Sequence, residues 1–177
     1  GRNGVGKSVL AGILAGTITP TAGRCVRGGR VHFLPQQVAP AAGDTVADLA
    51  RVRAPLEALR RIEAGSCEPA DFERVGERWN LRAELDAALR AQGLGGLEPD
   101  TPAIRLSGGE AMRVALAGAW LSEADFLILD EPGNHLDRGA RSRLLEQLRQ
   151  WRRGLLVVSH DRALLRAMER VVELGPG

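Results

Sequence analysis

The octapeptide at the start of the chain, Gly1-Arg2-Asn3-Gly4-Val5-Gly6-Lys7-Ser8, constrains the fold more than any other stretch. Its spacing, Gly-x-x-x-x-Gly-Lys-Ser, is that of a phosphate loop, whose glycines let backbone N–H groups turn inward around phosphate oxygens at a helix N-terminus. Such a loop joins a buried strand to a helix, so the expected architecture is α/β. The pattern predicts a strand ahead of Gly1, and the chain reads as a fragment lacking it. Lys7 would sit at the β- and γ-phosphates, and Ser8 would ligate Mg²⁺. Of 24 basic residues, Lys7 is the only lysine. In a chain that otherwise uses Arg throughout, a compact ammonium here points to selection by geometry.

The rest of the composition bounds the class. At 177 residues, 44% hydrophobic and 26% charged, the chain fits one globular domain and excludes disordered and fibrous classes. No run approaches the roughly 18 to 20 apolar residues of a bilayer-spanning helix, and no secretory leader is evident. A net charge of +2 does not by itself argue for nucleic acid. Cys25 and Cys67 are too few for a disulfide framework or a zinc cluster, which makes a reducing, cytoplasmic setting the expectation.

Hydrophobic periodicity organises the remainder. Val9, Leu10, Ile13 and Leu14 recur at helical spacing up to Gly16, so a helix follows the loop. Arg24 to Arg27 and Arg30 to Leu34, separated by Gly28-Gly29, read as a hairpin ending at Pro35-Gln36-Gln37. From about Ala41 to Arg105 the pattern is helical, rich in Ala, Leu, Arg and Glu, and a lobe over 38–105 is read as inserted into a single domain spanning 1–177. A helix after Ser107-Gly108-Gly109 leads to the apolar run Phe126 to Leu129. An all-apolar strand is buried on both faces, which is the mark of a parallel sheet. A helix from near Asp137 to Gly154, a second buried strand Leu155 to Val158, a short helix and a last strand Arg170 to Leu174 follow. Such an order places a site at the carboxyl ends of the strands.

Several polar residues fall at that edge. Phe126 to Leu129 delivers Asp130 and Glu131, of which Asp130 would hold Mg²⁺ and Glu131 would polarise the water attacking the γ-phosphate. His160 ends the second buried strand, where it could hydrogen-bond the γ-phosphate. Gln36 could touch the metal or the attacking water, with Gln37 as the competing candidate. Leu106-Ser107-Gly108-Gly109-Glu110 is a second glycine-rich helix start with the same anion-binding physics. It is expected to grip a nucleotide held by another domain.

Taken together, these segments resemble the ATP-binding cassette (ABC) family. The stretch Gly1 to Ser8 looks like its Walker A motif, Gln36 its Q-loop, Leu106 to Glu110 its signature, Phe126 to Glu131 its Walker B, Asp137 its D-loop and His160 its switch histidine, all in family order. The resemblance covers essentially the whole chain, although Val38 to Arg105 matches only in helical character. The turn Glu131 to Asp137, with His135 where transporter cassettes usually have Ala, and the later Ser159 to Arg162 look most like the ABC-F subfamily of soluble tandem-cassette proteins. Gly133 stands where that subfamily usually has Thr, and Val9 where many cassettes have a second hydroxyl.

The resemblance implies a P-loop NTPase fold with a mostly parallel core sheet and an α-helical lobe. It implies an ATPase whose catalytic residues are Glu131, His160 and Gln36. Nucleotide contacts would come from Gly1, Asn3, Gly4, Gly6, Lys7, Ser8 and Val9, and from Ser107, Gly108, Gly109, Glu110 and Asp137 toward a partner. Ser8, Gln36 and Asp130 would hold Mg²⁺. One copy of each motif implies half of a two-site sandwich, completed by a second cassette in tandem or as a homodimer. The expected output is a conformational cycle acting on the ribosome and translation. The rival readings are the nucleotide-binding subunit of a membrane transporter and a truncated, nucleotide-incompetent binding module. A basic stripe of Arg138, Arg141, Arg149 and Arg152 could meet ribosomal RNA, but a solvated helix face is the favoured reading. Trp79 and Trp120 are read as core or lobe packing.

Overall fold

The structure, a computed structural model, describes residues 6–134 and 136–174. Gly1, Asn3, Gly4 and His135 therefore lie outside the described residues. The chain divides into two compact units, the first formed by residues 1–37 and 122–177 and the second by Val38–Leu121.

In the first unit, α1 (Lys7–Ala15) starts where Gly6 takes a left-handed backbone, φ 83°. It stops at Gly16, φ 85°, whose N–H returns to the last turn. A left-handed residue is the usual way to end a helix while satisfying its last carbonyls. The helix turns Ala11 and Gly12 inward, while Val9 and Leu10, expected on its apolar face, are 51% and 41% exposed. Three parallel strands follow the spatial order β1 (Val31–Leu34), β2 (Phe126–Asp130), β3 (Gly154–Val158). β1 aligns Val31 with Phe126 and Leu34 with Leu129, and β2 aligns Phe126 with Gly154 and Asp130 with Val158. The parallel register brings the carboxyl ends of all three strands to one edge. Leu127, Ile128 and Leu129 are almost wholly buried, as a central parallel strand covered on both faces requires. Gly154 is needed opposite Phe126, since a Cβ there would lie 2.1 Å from the ring. α7 (Arg138–Gln150) joins β2 to β3 and buries Ala140, Leu144 and Leu148. α8 (Arg162–Arg166) follows β3.

Two expectations fail here. Arg24 to Arg27 forms no strand, so there is no hairpin; Val31–Leu34 pairs with β2, far away in sequence, in parallel. The Arg27 guanidinium instead serves the end of α1, donating to the carbonyls of Leu14, at 2.7 Å, and of Ile13. A pair of glycines permits a tight turn, but strand pairing is decided by which edge offers an apolar partner. Likewise Arg170 to Leu174 is not a strand, and Val171 and Val172 are 59% and 84% exposed. β-branched residues favour a sheet only when a neighbouring strand covers them.

The second unit is helical. α2 (Val46–Leu49) is opened by a capping box in which the Asp48 backbone N–H donates to the Thr45 hydroxyl and the Asp48 carboxylate accepts from the Thr45 N–H. α3 (Arg53–Glu63), α4 (Pro69–Val75), α5 (Leu81–Ala91) and α6 (Gly108–Leu121) complete it. Val46, Leu56, Leu81, Leu85, Leu89 and Val114 form its core. Gly118 of α6 lies against the end of α2, where a Cβ would sit 2.2 Å from the Ala50 carbonyl oxygen. Asp71 is buried, its carboxylate held by Arg61 and by the Ser66 hydroxyl at 2.8 Å. Trp79 is half exposed and lies 6.1 Å from the Phe72 ring centroid, so it packs on the lobe and not in its core. Among the described residues no helix is long and apolar enough to cross a membrane.

Candidate nucleotide site

The edge of the sheet gathers the polar residues of the first unit. α1 presents Lys7 and Ser8 in its first turn, immediately after the left-handed Gly6. β2 ends at Asp130, which is 3% exposed although it carries a carboxylate. Burial pushes that carboxyl above the usual carboxylate range; the neighbouring Glu131 charge adds to the effect, while a hydrogen bond from the Ser8 hydroxyl and the Lys7 ammonium oppose it. One carboxylate oxygen, Oδ1, is buried with no hydrogen-bond partner among the described residues. A buried orphan acceptor is costly unless something fills the place beside it.

Glu131 follows with a left-handed backbone, φ 48°, which a non-glycine residue adopts at a cost. Its N–H donates to the Val158 carbonyl at 2.8 Å, extending the β2–β3 ladder by one bond, and Asn134 N–H donates to the Glu131 carbonyl at 3.0 Å. These bonds fix the corner. The side chain is 8% exposed and both oxygens are engaged: Oε1 lies 3.0 Å from His160 Nδ1, and Oε2 accepts from the Ser159 hydroxyl at 3.3 Å. Because a carboxylate only accepts, the His160 proton facing it is assigned to Nδ1. The His160 side chain is 64% exposed.

Gln36 and Gln37 follow β1 on the same edge and are exposed. Val9 is exposed on α1, next to Ser8. Asp137 caps α7, its carboxylate accepting from Ala140 N–H at 2.7 Å. Ser107, Gly108, Gly109 and Glu110 belong to the second unit and are grouped among themselves. Ser107 donates to Glu110 Oε2 from its backbone N–H at 2.8 Å and from its hydroxyl at 2.7 Å, and Glu110 N–H returns to the Ser107 hydroxyl at 3.3 Å. The Ser107 hydroxyl bond is the main cause that holds the Glu110 carboxyl below its ordinary value. Of the proposed basic stripe, Arg141 is tied to Asp161 at 3.2 Å, and Arg138, Arg149 and Arg152 are exposed.

Against this geometry the sequence profile described as "ABC transporter" matches residues 1–134. The chain belongs to the ABC family. The cassette is 38% identical over 188 residues to the tylosin resistance ATP-binding protein TlrC of Streptomyces fradiae, covering 93% of this chain and 34% of that one. It is 33% identical over 198 residues to the energy-dependent translational throttle protein EttA of Mycobacterium tuberculosis, covering 100% of this chain and 35% of that one. These relatives are ABC-F-type proteins. The chain thus spans between about a quarter and a third of the curated relatives it matches. Among solved structures, the archaeal ribosome recycling factor aABCE1, in complex with the ribosomal stalk protein aP1, superposes with a TM-score of 0.66 at 30% identity, over 94% of this chain and 29% of that one.

Ser159 is the site residue the motif pattern passed over. Its signal was a lone hydroxyl at the end of a continuous apolar run, directly before His160. Nothing in the one-dimensional pattern shows that the hydroxyl meets a carboxylate 28 positions earlier.

Proposed function

We propose that this cassette binds Mg·ATP and, paired with a second cassette, hydrolyses it to drive a conformational cycle acting on the ribosome during translation. The observation that carries the nucleotide reading is Asp130, a buried carboxylate bonded to the phosphate-loop hydroxyl of Ser8 and left, among the described residues, with one unpartnered oxygen. Hard oxygen donors of this kind suit Mg²⁺, which takes one or two protein oxygens and otherwise binds phosphate and water. Ser8 and Asp130 would hold the metal, with Gln36 as a further contact, and the metal would neutralise charge on the β- and γ-phosphates. Lys7 and the loop N–H groups bind the same phosphates. Glu131 accepts the proton of the attacking water as its oxygen bonds to the γ-phosphorus and ADP leaves. His160 and Gln36 orient the phosphate and the water. Ser107, Gly108, Gly109, Glu110 and Asp137 would meet the nucleotide of the facing cassette.

The ribosomal part of the reading is supported by the names of EttA and aABCE1, a translational throttle and a ribosome recycling factor. In the full chain, Glu131→Gln is expected to keep ATP binding, to lose turnover by about 100-fold or more, and to remain paired and ribosome-associated when ATP is present. Steady-state hydrolysis near the wild-type rate overturns the base assignment. Co-purification with a permease in place of ribosomes overturns the translational role.

A further inference from the structure

We infer that Ser159 is a positioning residue for hydrolysis, setting the orientation of the Glu131 carboxylate from the neighbouring strand. The inference rests on the reading of Glu131 as the base. Glu131 sits on a left-handed backbone just past the end of β2, so its own strand leaves the side chain little regular support. Both of its oxygens are instead gripped by consecutive residues at the exit of β3. The two grips are unequal. His160 is 64% exposed, so water competes for its contact. Ser159 is 8% exposed, and its bond to Glu131 is sheltered from solvent.

The proton of the Ser159 hydroxyl has a defined direction. Asp161 N–H donates to Ser159 Oγ at 3.0 Å, occupying a lone pair and leaving the single O–H to Glu131 Oε2. Asp161 is itself anchored, accepting from Ala163 N–H at 2.8 Å as the cap of α8 and pairing with Arg141 of α7 at 3.2 Å. Glu131 N–H on the Val158 carbonyl closes the ring of bonds. A base held this way keeps its oxygen in register with an in-line water, and misplacing such a group costs rate far more than it costs binding.

The test compares Ser159→Ala and Ser159→Thr in the full chain. Ser159→Ala is expected to lower kcat by about 10- to 100-fold while KM and the Kd for Mg·ATP stay within about twofold. Ser159→Thr, which keeps the hydroxyl, should recover most of the rate. Placed on Glu131→Gln, the Ser159→Ala change should cause no further loss, since residues acting as a unit are not additive. Ser159→Ala turnover within twofold of wild type, or Ser159→Thr as slow as Ser159→Ala, overturns the role of Ser159 while leaving the base intact. Glu131→Gln turning over at the wild-type rate overturns the base itself. A thermal melt of each variant detects misfolding, and a Ser159→Ala loss that follows a fall in Tm, with Ser159→Thr equally unstable, also overturns the inference.

Discussion

Two polar corners of this molecule use similar residues to opposite ends. At the start of α6, Ser107 and Glu110 satisfy one another completely enough that the carboxylate is held below its ordinary range. At the end of β2, Asp130 is pushed above its range and one of its oxygens has no partner among the described residues. The first corner is a helix cap in balance. The second carries a cost that a ligand can relieve. Two carboxylates beside serine hydroxyls therefore differ in readiness because of burial and of how many donors reach each one, and not because of residue type.

The comparison breaks most visibly at Asp130. Asp130→Asn should weaken Mg·ATP binding by about 100-fold, read by calorimetric titration with and without Mg²⁺. The same change should raise the Tm of the nucleotide-free protein by a few degrees, because it removes a charge that burial disfavours. The sign follows from linkage: a carboxyl raised on folding stabilises below its unfolded value and loses that contribution as pH rises through the folded one, so the ionised form is a burden at neutral pH. A fall in Tm would show that Asp130 is already fully satisfied without ligand.

A smaller effect is expected from crowding in the second unit. Gly118→Ala would drive a Cβ against the Ala50 carbonyl, and should cost about 1–3 kcal/mol by denaturant unfolding. An unchanged midpoint would mean that α2 and α6 separate easily.

The smallest change concerns the α6 cap. Glu110→Gln should cost about 0.5–1 kcal/mol at neutral pH. Its carboxyl is lowered on folding, so its contribution is present above the ordinary glutamate value and disappears as pH falls through the lower folded value. Unfolding followed from neutral pH to below that point should converge for Glu110→Gln and wild type. Persistent separation in acid would assign the cap to hydrogen bonding that survives protonation.

Much of the fold could be read along the chain where the signal was local. The limits of α1 follow from Gly6 and Gly16, the buried character of β2 from four consecutive apolar residues, and the start of α7 from Asp137. The parallel fold class came from the same apolar run. What failed was pairing: Gly28-Gly29 suggested that Val31–Leu34 would fold back on Arg24 to Arg27, and the valines at 171 and 172 suggested a strand. Both errors assumed that β-propensity finds its own partner. Strand partners are non-local, and β1 found its match 95 positions away at β2.

The sequence determined which groups make up the proposed site, because a phosphate-loop pattern, a strand-end carboxylate pair and a serine-led helix cap are set by neighbours in the chain. The tertiary structure decided how those groups are balanced. Only the alignment of β2 with β3 lays Ser159 and His160 on Glu131, and only burial in three dimensions leaves one Asp130 oxygen without a partner among the described residues. Hydrogen-bond satisfaction and desolvation are properties of surroundings in space, and residues distant in sequence supply them.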